Sequence, residues 1–216
     1  RSGAPHPHVK RGVGAALPPP KLSEIFRRMD LSIPSAALTE LAAVYLQAAV
    51  TLGLVGLSAF LHHRFRKPYF ALWALAWAIY ALRLGAIVAF LRTGHSGWLY
   101  WHQVTTGWTA LALFWAALVF SRGKPVWRPW YAAVALFPPA WSYLAIYRME
   151  SFMLAAGPAV AFLSAATAWT AWTFFRYHRE VGSRTARGLA LVLALWALHH
   201  LDYPFLRARG IWNPWG

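Results

Sequence analysis

Cysteine is absent from this sequence of 216 residues, and charged residues account for only 12% of it. Without cysteine, the chain can form neither a disulfide framework nor a thiolate metal site. An average soluble domain has about a quarter of its residues charged, so the scarcity of charge argues against a soluble fold. Hydrophobic residues make up 59% of the chain and include 14 tryptophans. This composition predicts an integral membrane protein.

Acidic residues are scarce as well: 6 Asp and Glu stand against 21 Lys and Arg, which gives a formal net charge of +15. A charge of this size can indicate a nucleic-acid-binding protein. Here, however, the basic residues lie in short clusters between long apolar stretches. That distribution is typical of the positive-inside rule, so we expect the lipid bilayer as a partner and no nucleic acid.

Residues 1–28 differ in composition from the rest of the chain. They include the run Pro18-Pro19-Pro20, they show no periodic apolar pattern, and the first methionine, Met29, follows them. They also lack the apolar core of a signal peptide. We therefore expect 1–28 to be a disordered leader or translated upstream sequence, and 29–216 to form a transmembrane domain.

Long apolar stretches dominate the remaining chain. A membrane-spanning helix needs about 20 predominantly apolar residues, and six such stretches follow one another with short loops between them. We predict an all-α integral membrane bundle in which neighbouring helices pack antiparallel. Pro138-Pro139 should kink the fourth span and Pro158 should bend the fifth. The predicted spans are 36–61, 69–91, 99–120, 126–147, 151–175 and 188–206.

The basic residues of the loops predict an orientation. The loops after the first, third and fifth spans hold ten Lys and Arg, whereas the other side holds four. The positive-inside rule then places the first side in the cytoplasm and Met29 outside. The end of the chain, 211–216, combines Asn213-Pro214 with two tryptophans, like the entry turn of a further helix. We expect the sequence to be truncated before a seventh span.

Polar side chains interrupt several spans near the predicted outer face. Gln47 follows Glu40 by seven residues on one helical face, and Arg83 shares a face with Trp73, Trp77 and Tyr80. His102, Thr105, Thr106 and Thr109 form a polar stripe at helical spacing. Since ionisable residues within spans are costly and usually functional or paired, we predict an outward-facing polar pocket. The candidate ligand-binding residues are Glu40, Gln47, Arg83, His102, Gln103, His199, His200, Asp202 and Tyr203.

Structural explanations remain open for each of these candidates. Arg83 can pair with Glu40 or Asp202 simply to permit insertion, and the stripe at His102 can join helices by hydrogen bonds. Within the last span we expect His199 and Asp202 on the inner face, with His200 to one side. Pro204 lacks a backbone N–H, so we expect the helix to loosen just before it. We predict no metal site; His102 and His199 are the only weak candidates.

The stretch 195–216, LWALHHLDYPFLRARGIWNPWG, resembles a segment of the multi-span input regions of bacterial membrane sensor histidine kinases. In that family, a Leu-Trp-x-Leu-His-x-x-Asp-Tyr-Pro-Phe-Leu-Arg run ends the sixth span, and a seventh span leads to PAS, kinase or cyclic-dinucleotide synthase modules. The close resemblance covers about a tenth of the chain, and the topology is similar throughout. The matching residues are Leu195, Trp196, Leu198, His199, Asp202, Tyr203, Pro204, Phe205, Leu206 and Arg207.

The resemblance implies a sensory input domain of a two-component type protein in the bacterial plasma membrane. It implies that phosphorelay kinase or diguanylate cyclase activity belongs to a cytoplasmic module of the same parent chain, and that no catalytic residue lies in these spans. The resemblance does not identify a stimulus. It is compatible with a homodimer as well as with a monomer.

Two other classes of function compete with this interpretation. A redox protein could hold haem between His102 and His199, although no second histidine pair exists at that depth. A small-molecule transporter is disfavoured by the absence of an internal repeat and by an almost entirely apolar inner half. A rhodopsin is disfavoured because no lysine lies in the six predicted spans. We therefore expect no cofactor, with haem or a metal ion as the alternative.

Overall fold

The structure, a computed structural model, describes residues 34–124 and 129–208; side chains are described for 42–90, 92–124, 129–151 and 153–201. The described residues form helices without any β-strand, so the all-α prediction is confirmed for them. The predicted leader, 1–28, and the predicted entry turn, 211–216, lie outside the described residues. The elements are α1 (Pro34–Phe65), α2 (Pro68–Thr93), α3 (Ser96–Arg122), α4 (Trp130–Tyr143), a π-helical turn (Leu144–Arg148), α5 (Phe152–Val181) and α6 (Arg184–Ala208).

Four of the helices are long and apolar enough to cross a membrane. α4 is not among them: its own 14 residues rise about 21 Å, and the π-helical turn Leu144–Arg148 continues the same helix without a break. α6 has the length but is not among them either; its described part holds Arg184 and Arg187 at one end and His199 and His200 at the other. Among the described residues, six helices therefore occupy the six predicted positions, and four qualify as spans. These four are Ala42–Phe65, Pro68–Phe90, Ser96–Arg122 and Met153–Val181.

Large apolar side chains cover the outside of the bundle. Leu136 is 70% exposed, Leu195 is 67% exposed and Leu82 is 66% exposed. Extensive apolar surface of this kind is unfavourable in water and marks contact with a membrane or another protein. Together with the four apolar helices, it indicates a membrane protein.

α3 is the central helix of the bundle. It packs against α2, α4 and α5, while α1 packs on α2 and α6 packs on α5. Alanine and leucine side chains, together with Tyr80, fill the interfaces between α2, α3 and α5. One buried hydrophobic cluster consists of Ala76, Tyr80, Leu84, Ala110, Ala112, Leu113, Leu163 and Ala166.

Glycines end three of the helices and set the short connections between them. Gly94, Gly123 and Gly182 follow α2, α3 and α5 with φ of 65°, 68° and 72°. This left-handed conformation is costly for a residue with a Cβ. At the start of α3, the backbone N–H of Gly97 donates to Nδ1 of His95 at 3.1 Å. The helices therefore reverse direction over very few residues.

Prolines lie inside α4, α5 and α6. α4 continues through Pro138 and Pro139 to Tyr143, where the chain changes to the π-helical turn. α5 likewise continues past Pro158. α6 also remains helical past Pro204, to Ala208, and the expected loosening just before Pro204 stays a prediction. A proline removes one hydrogen bond, but its φ suits a helix, so the helix can continue when its surroundings support it.

Candidate functional site

Arg83 lies half-buried within the bundle, in the second half of α2. Its Nε donates to Oγ1 of Thr106 on α3 at 3.0 Å. Its guanidinium carbon lies 4.9 Å from the centre of the Tyr80 ring, within the range of a cation–π interaction. Two neighbours on two helices thus fix the position of the charge, as expected for an ionisable residue in a span.

Tyr80 extends this arrangement to the first helix. Nε2 of Gln47 on α1 donates to the hydroxyl oxygen of Tyr80 at 2.9 Å. The Tyr80 side chain is only 2% exposed, so the hydroxyl lies in an apolar environment where an unpaired polar group is costly. The bond therefore joins α1 to α2 at the level of Arg83.

His102 contacts the same turn of α2 from α3. Its Nδ1 lies 3.2 Å from the backbone carbonyl oxygen of Arg83. Because a carbonyl can only accept, the proton of the neutral ring belongs on Nδ1 in this arrangement. Thr106 donates in turn to the carbonyl oxygen of His102 at 2.6 Å. We call Gln47, Tyr80, Arg83, His102 and Thr106 the Arg83 network.

The polar stripe of α3 divides into two kinds of residue. His102 and Thr106 reach across to α2. Among the described residues, Thr105 donates to the carbonyls of Trp101 and His102 at 2.7 and 3.1 Å, and Thr109 donates to the carbonyl of Thr105 at 2.8 Å, all within α3. Buried Thr hydroxyls commonly bond to the preceding turn in this way. Two residues of the stripe therefore join α3 to α2, and the other two form hydrogen bonds within α3.

α6 approaches the Arg83 network through aromatic side chains. The Trp196 ring stacks on Trp77 with centroids 5.4 Å apart, and it meets Tyr80 edge-on at 5.6 Å. The His200 ring lies one helical turn further on, 4.8 Å from Trp196. Arg83 lies within electrostatic reach of His200. The network therefore borders α6 as well as α1, α2 and α3.

The expected positions of the two histidines of α6 are reversed. His200 is buried, at 7% exposed, whereas His199 is only half-buried. The reason is the register: His200 follows Trp196 by four residues and shares its inward face, and the adjacent His199 points about 100° away. Nε2 of His200 is buried without a hydrogen-bond partner among the described residues.

Gln103 does not join the other candidates. It follows His102 directly, so the two side chains diverge by about 100°, and Gln103 points toward α4 and α5. There it lines a cavity of about 340 Å³ between α3, α4 and α5, which we call the α3–α5 cavity. Gly107, Phe137, Trp141 and Ser142 contribute to its wall. The single polar pocket expected from the sequence is thus divided between two faces of α3.

Three of the candidates lie outside the described side chains. The backbones of Glu40, Asp202 and Tyr203 belong to α1 and α6, but their side-chain positions are outside the described part of the structure. The pairing of Arg83 with Glu40 or Asp202 therefore stays a prediction. In the described part of the chain, no three His, Asp or Glu side chains are grouped to hold a metal ion.

The sequence did not reveal Trp196 or the α3–α5 cavity as parts of a site. Trp196 belongs to an apolar run, and its stacking on Trp77 depends on which helix α6 meets. Gln103 stood out as a polar residue in a span, but nothing in the sequence showed that it faces α4. No family model, no curated protein and no solved structure matches this chain.

Proposed function

We propose that this chain is a membrane-embedded sensory input domain of a bacterial signal-transduction protein. A stimulus acts on the Arg83 network, and α6 passes the change to a seventh span that leads to a cytoplasmic output module of the same parent chain, a histidine kinase or a diguanylate cyclase. The observation that carries the proposal is a guanidinium held inside the bundle where four helices meet.

The donors of Arg83 support a role in binding. A guanidinium carries five N–H groups, and the structure pairs the one on Nε with Thr106. The N–H groups of the two terminal nitrogens make no hydrogen bond to another described residue. They suit an anionic or polar ligand group, with Glu40 and Asp202 as the candidate carboxylates that balance the charge.

The aromatic contacts support a route from this network to α6. The Arg83 guanidinium lies over the face of the Tyr80 ring, and the Tyr80 and Trp196 rings meet edge-on. A displacement of Arg83 therefore acts on a side chain that packs directly against α6. A ligand that binds one of two packings more tightly shifts the population toward that packing. Such a shift is the signal in this proposal.

The proposed topology has six spans, Met29 outside, and a seventh span after Gly216. It can be tested with single cysteines, because the natural chain contains none. A cysteine at Arg179, at the end of α5, should react with a membrane-impermeant maleimide only after the cells are opened. A cysteine at Arg92, at the end of α2, should react in intact cells. The opposite pattern would reverse the orientation.

The sensory function is tested in the complete parent protein. The reading frame beyond Gly216 should encode a further apolar span and a kinase or cyclase module. In membrane vesicles, Arg83→Ala should then abolish the response to stimulus or lock the output in one state, at equal amounts of folded protein. Arg92→Ala is the matched control, because Arg92 is exposed and donates to Tyr45 at the end of the bundle.

Two results would contradict the proposal. One is a reading frame that ends without an output module. The other is an Arg83→Ala protein whose output and response equal those of the unsubstituted protein while it remains folded.

A further inference from the structure

The α3–α5 cavity holds two polar side chains in an otherwise apolar wall. Gln103 and Ser142 are each 3% exposed and both line the cavity. Neither side chain makes a hydrogen bond to another described residue. Their polar atoms are not among the fully enclosed atoms without a partner, so they open into the cavity. Polar groups in such a place normally bond to something, and inside a bilayer no bulk water can supply a partner. Two such groups at one cavity point to a ligand.

The cavity wall limits the chemistry of that ligand. Of the described residues that line it, none is charged, so a charged group would remain without compensation. Phe137 and Trp141 present aromatic rings, which favour a flat apolar molecule. The Gln103 amide can both donate and accept a hydrogen bond, and so can the Ser142 hydroxyl. These groups suit a neutral molecule with carbonyl or hydroxyl groups.

The size and the opening of the cavity fit a small lipid-soluble molecule. A volume of about 340 Å³ lies at the lower end of the range of ligand pockets. Phe137 at the cavity is 58% exposed, so the wall reaches the outer surface of the bundle. That surface is apolar, and it faces lipid when the helices cross a membrane. A ligand therefore enters from the bilayer and not from water.

We infer that the α3–α5 cavity binds a neutral, lipid-soluble ring compound through carbonyl or hydroxyl groups that hydrogen-bond to Gln103 and Ser142, with a quinone head group as the representative chemistry. This site differs from the Arg83 network in position and in ligand class. The inference does not rest on the sensory function, because binding can be measured in the isolated chain.

The probe is 2-methyl-1,4-naphthoquinone, added to the full chain in lipid nanodiscs. Since the chain has no cysteine, the quinone cannot form a thiol adduct. Saturable binding to the folded state should raise the temperature of unfolding in a concentration-dependent manner. The hydrocarbon 2-methylnaphthalene, which lacks both carbonyls, should stabilise the chain much less at the same concentration.

Variants locate the site. Gln103→Leu should weaken quinone binding about two- to tenfold, the loss expected for one hydrogen bond. Ala159→Phe adds a ring to the α5 wall of the cavity and should abolish binding. Gln47→Leu is the matched control: it removes the same amide from the Arg83 network and should leave quinone affinity unchanged.

Each alternative result overturns the inference. Binding that does not saturate shows only partition into lipid. If 2-methylnaphthalene binds equally well, hydrogen bonds to Gln103 and Ser142 do not determine which ligand binds. Unchanged affinity in folded Gln103→Leu, or an equal loss in Gln47→Leu, places the quinone elsewhere. The binding experiments do not measure sensory output. A negative result on quinone binding therefore does not contradict the sensory function, and a negative result on sensory function does not contradict quinone binding.

Discussion

The indole Nε1 of Trp108 donates to the carbonyl oxygen of Ala135 at 2.9 Å. In an uninterrupted helix, this carbonyl would accept from the backbone N–H four residues later. That residue is Pro139, which has no N–H. A side chain of α3 thus supplies the donor that α4 lacks. The same relationship recurs in α5, where Pro158 frees the carbonyl of Leu154, and Nε1 of Trp141 donates to it at 2.8 Å.

Removal of the indole donor should destabilise the bundle only while the proline is present. Trp108→Phe leaves the Ala135 carbonyl without its donor and should cost about 1 kcal/mol, within the range measured for interhelical hydrogen bonds in membranes. In a Pro139→Ala background, the helix regains its own N–H, so the cost of losing this bond should disappear. Unfolding in mixed micelles of increasing dodecyl sulfate, followed by circular dichroism, measures this double-mutant cycle. A coupling free energy of zero would show that the bond contributes nothing.

Helix positions and the faces of single helices could be predicted from the sequence, because apolar run length and 3.6-residue periodicity are local properties. That Tyr80 and Arg83 share a face with Trp77 follows from spacing alone. Which neighbouring helix packs against each face of a helix could not be predicted from the sequence. The spacing predicts one pocket for adjacent residues such as His102 and Gln103, although their side chains point about 100° apart around the helix axis. Which member of such a pair faces which neighbour depends on long-range packing.

Gly107 should be necessary for the contact between α3 and α4. A Cβ at this position would lie 2.6 Å from Cβ and 2.7 Å from Cγ of Pro138, closer than real carbon atoms approach. Gly107→Ala should therefore separate the helices and cost about 1 to 3 kcal/mol, as overpacked sites do. The measurement is the free energy of unfolding in the same mixed micelles.

Gly85→Ala serves as its control. A Cβ on Gly85 of α2 meets no atom within 4 Å, and alanine favours a helix more than glycine does. This variant should be as stable as the natural chain or slightly more stable. If Gly107→Ala behaved in the same way as Gly85→Ala, the close approach to Pro138 would have no energetic importance.

The contact between Arg83 and Thr106 should be distinguishable from hydrogen bonds within α3. Thr106→Val keeps the shape but removes the oxygen that accepts from Arg83, so stability should fall by about 1 kcal/mol. Thr109→Val removes an oxygen whose hydrogen bond in the described part of the chain goes to Thr105 of its own helix, and it should cost less. The comparison uses unfolding free energies, and equal losses would refute an interhelical role for Thr106.

His102→Leu and His200→Leu should have opposite effects on stability. His102 donates to the carbonyl of Arg83 across a helix interface, so its replacement removes a bond and loosens α3 from α2. Nε2 of His200 is buried without a partner among the described residues, and such an unsatisfied group costs about 1 to 3 kcal/mol. Leucine would remove that cost and keep apolar contact with Trp196.

We therefore expect His200→Leu to equal or exceed the natural chain in unfolding free energy, and His102→Leu to fall below it. A clear loss of stability in His200→Leu would mean that the buried ring has a partner that stabilises the fold. His200 would then belong with His102 among the residues that hold the helices together.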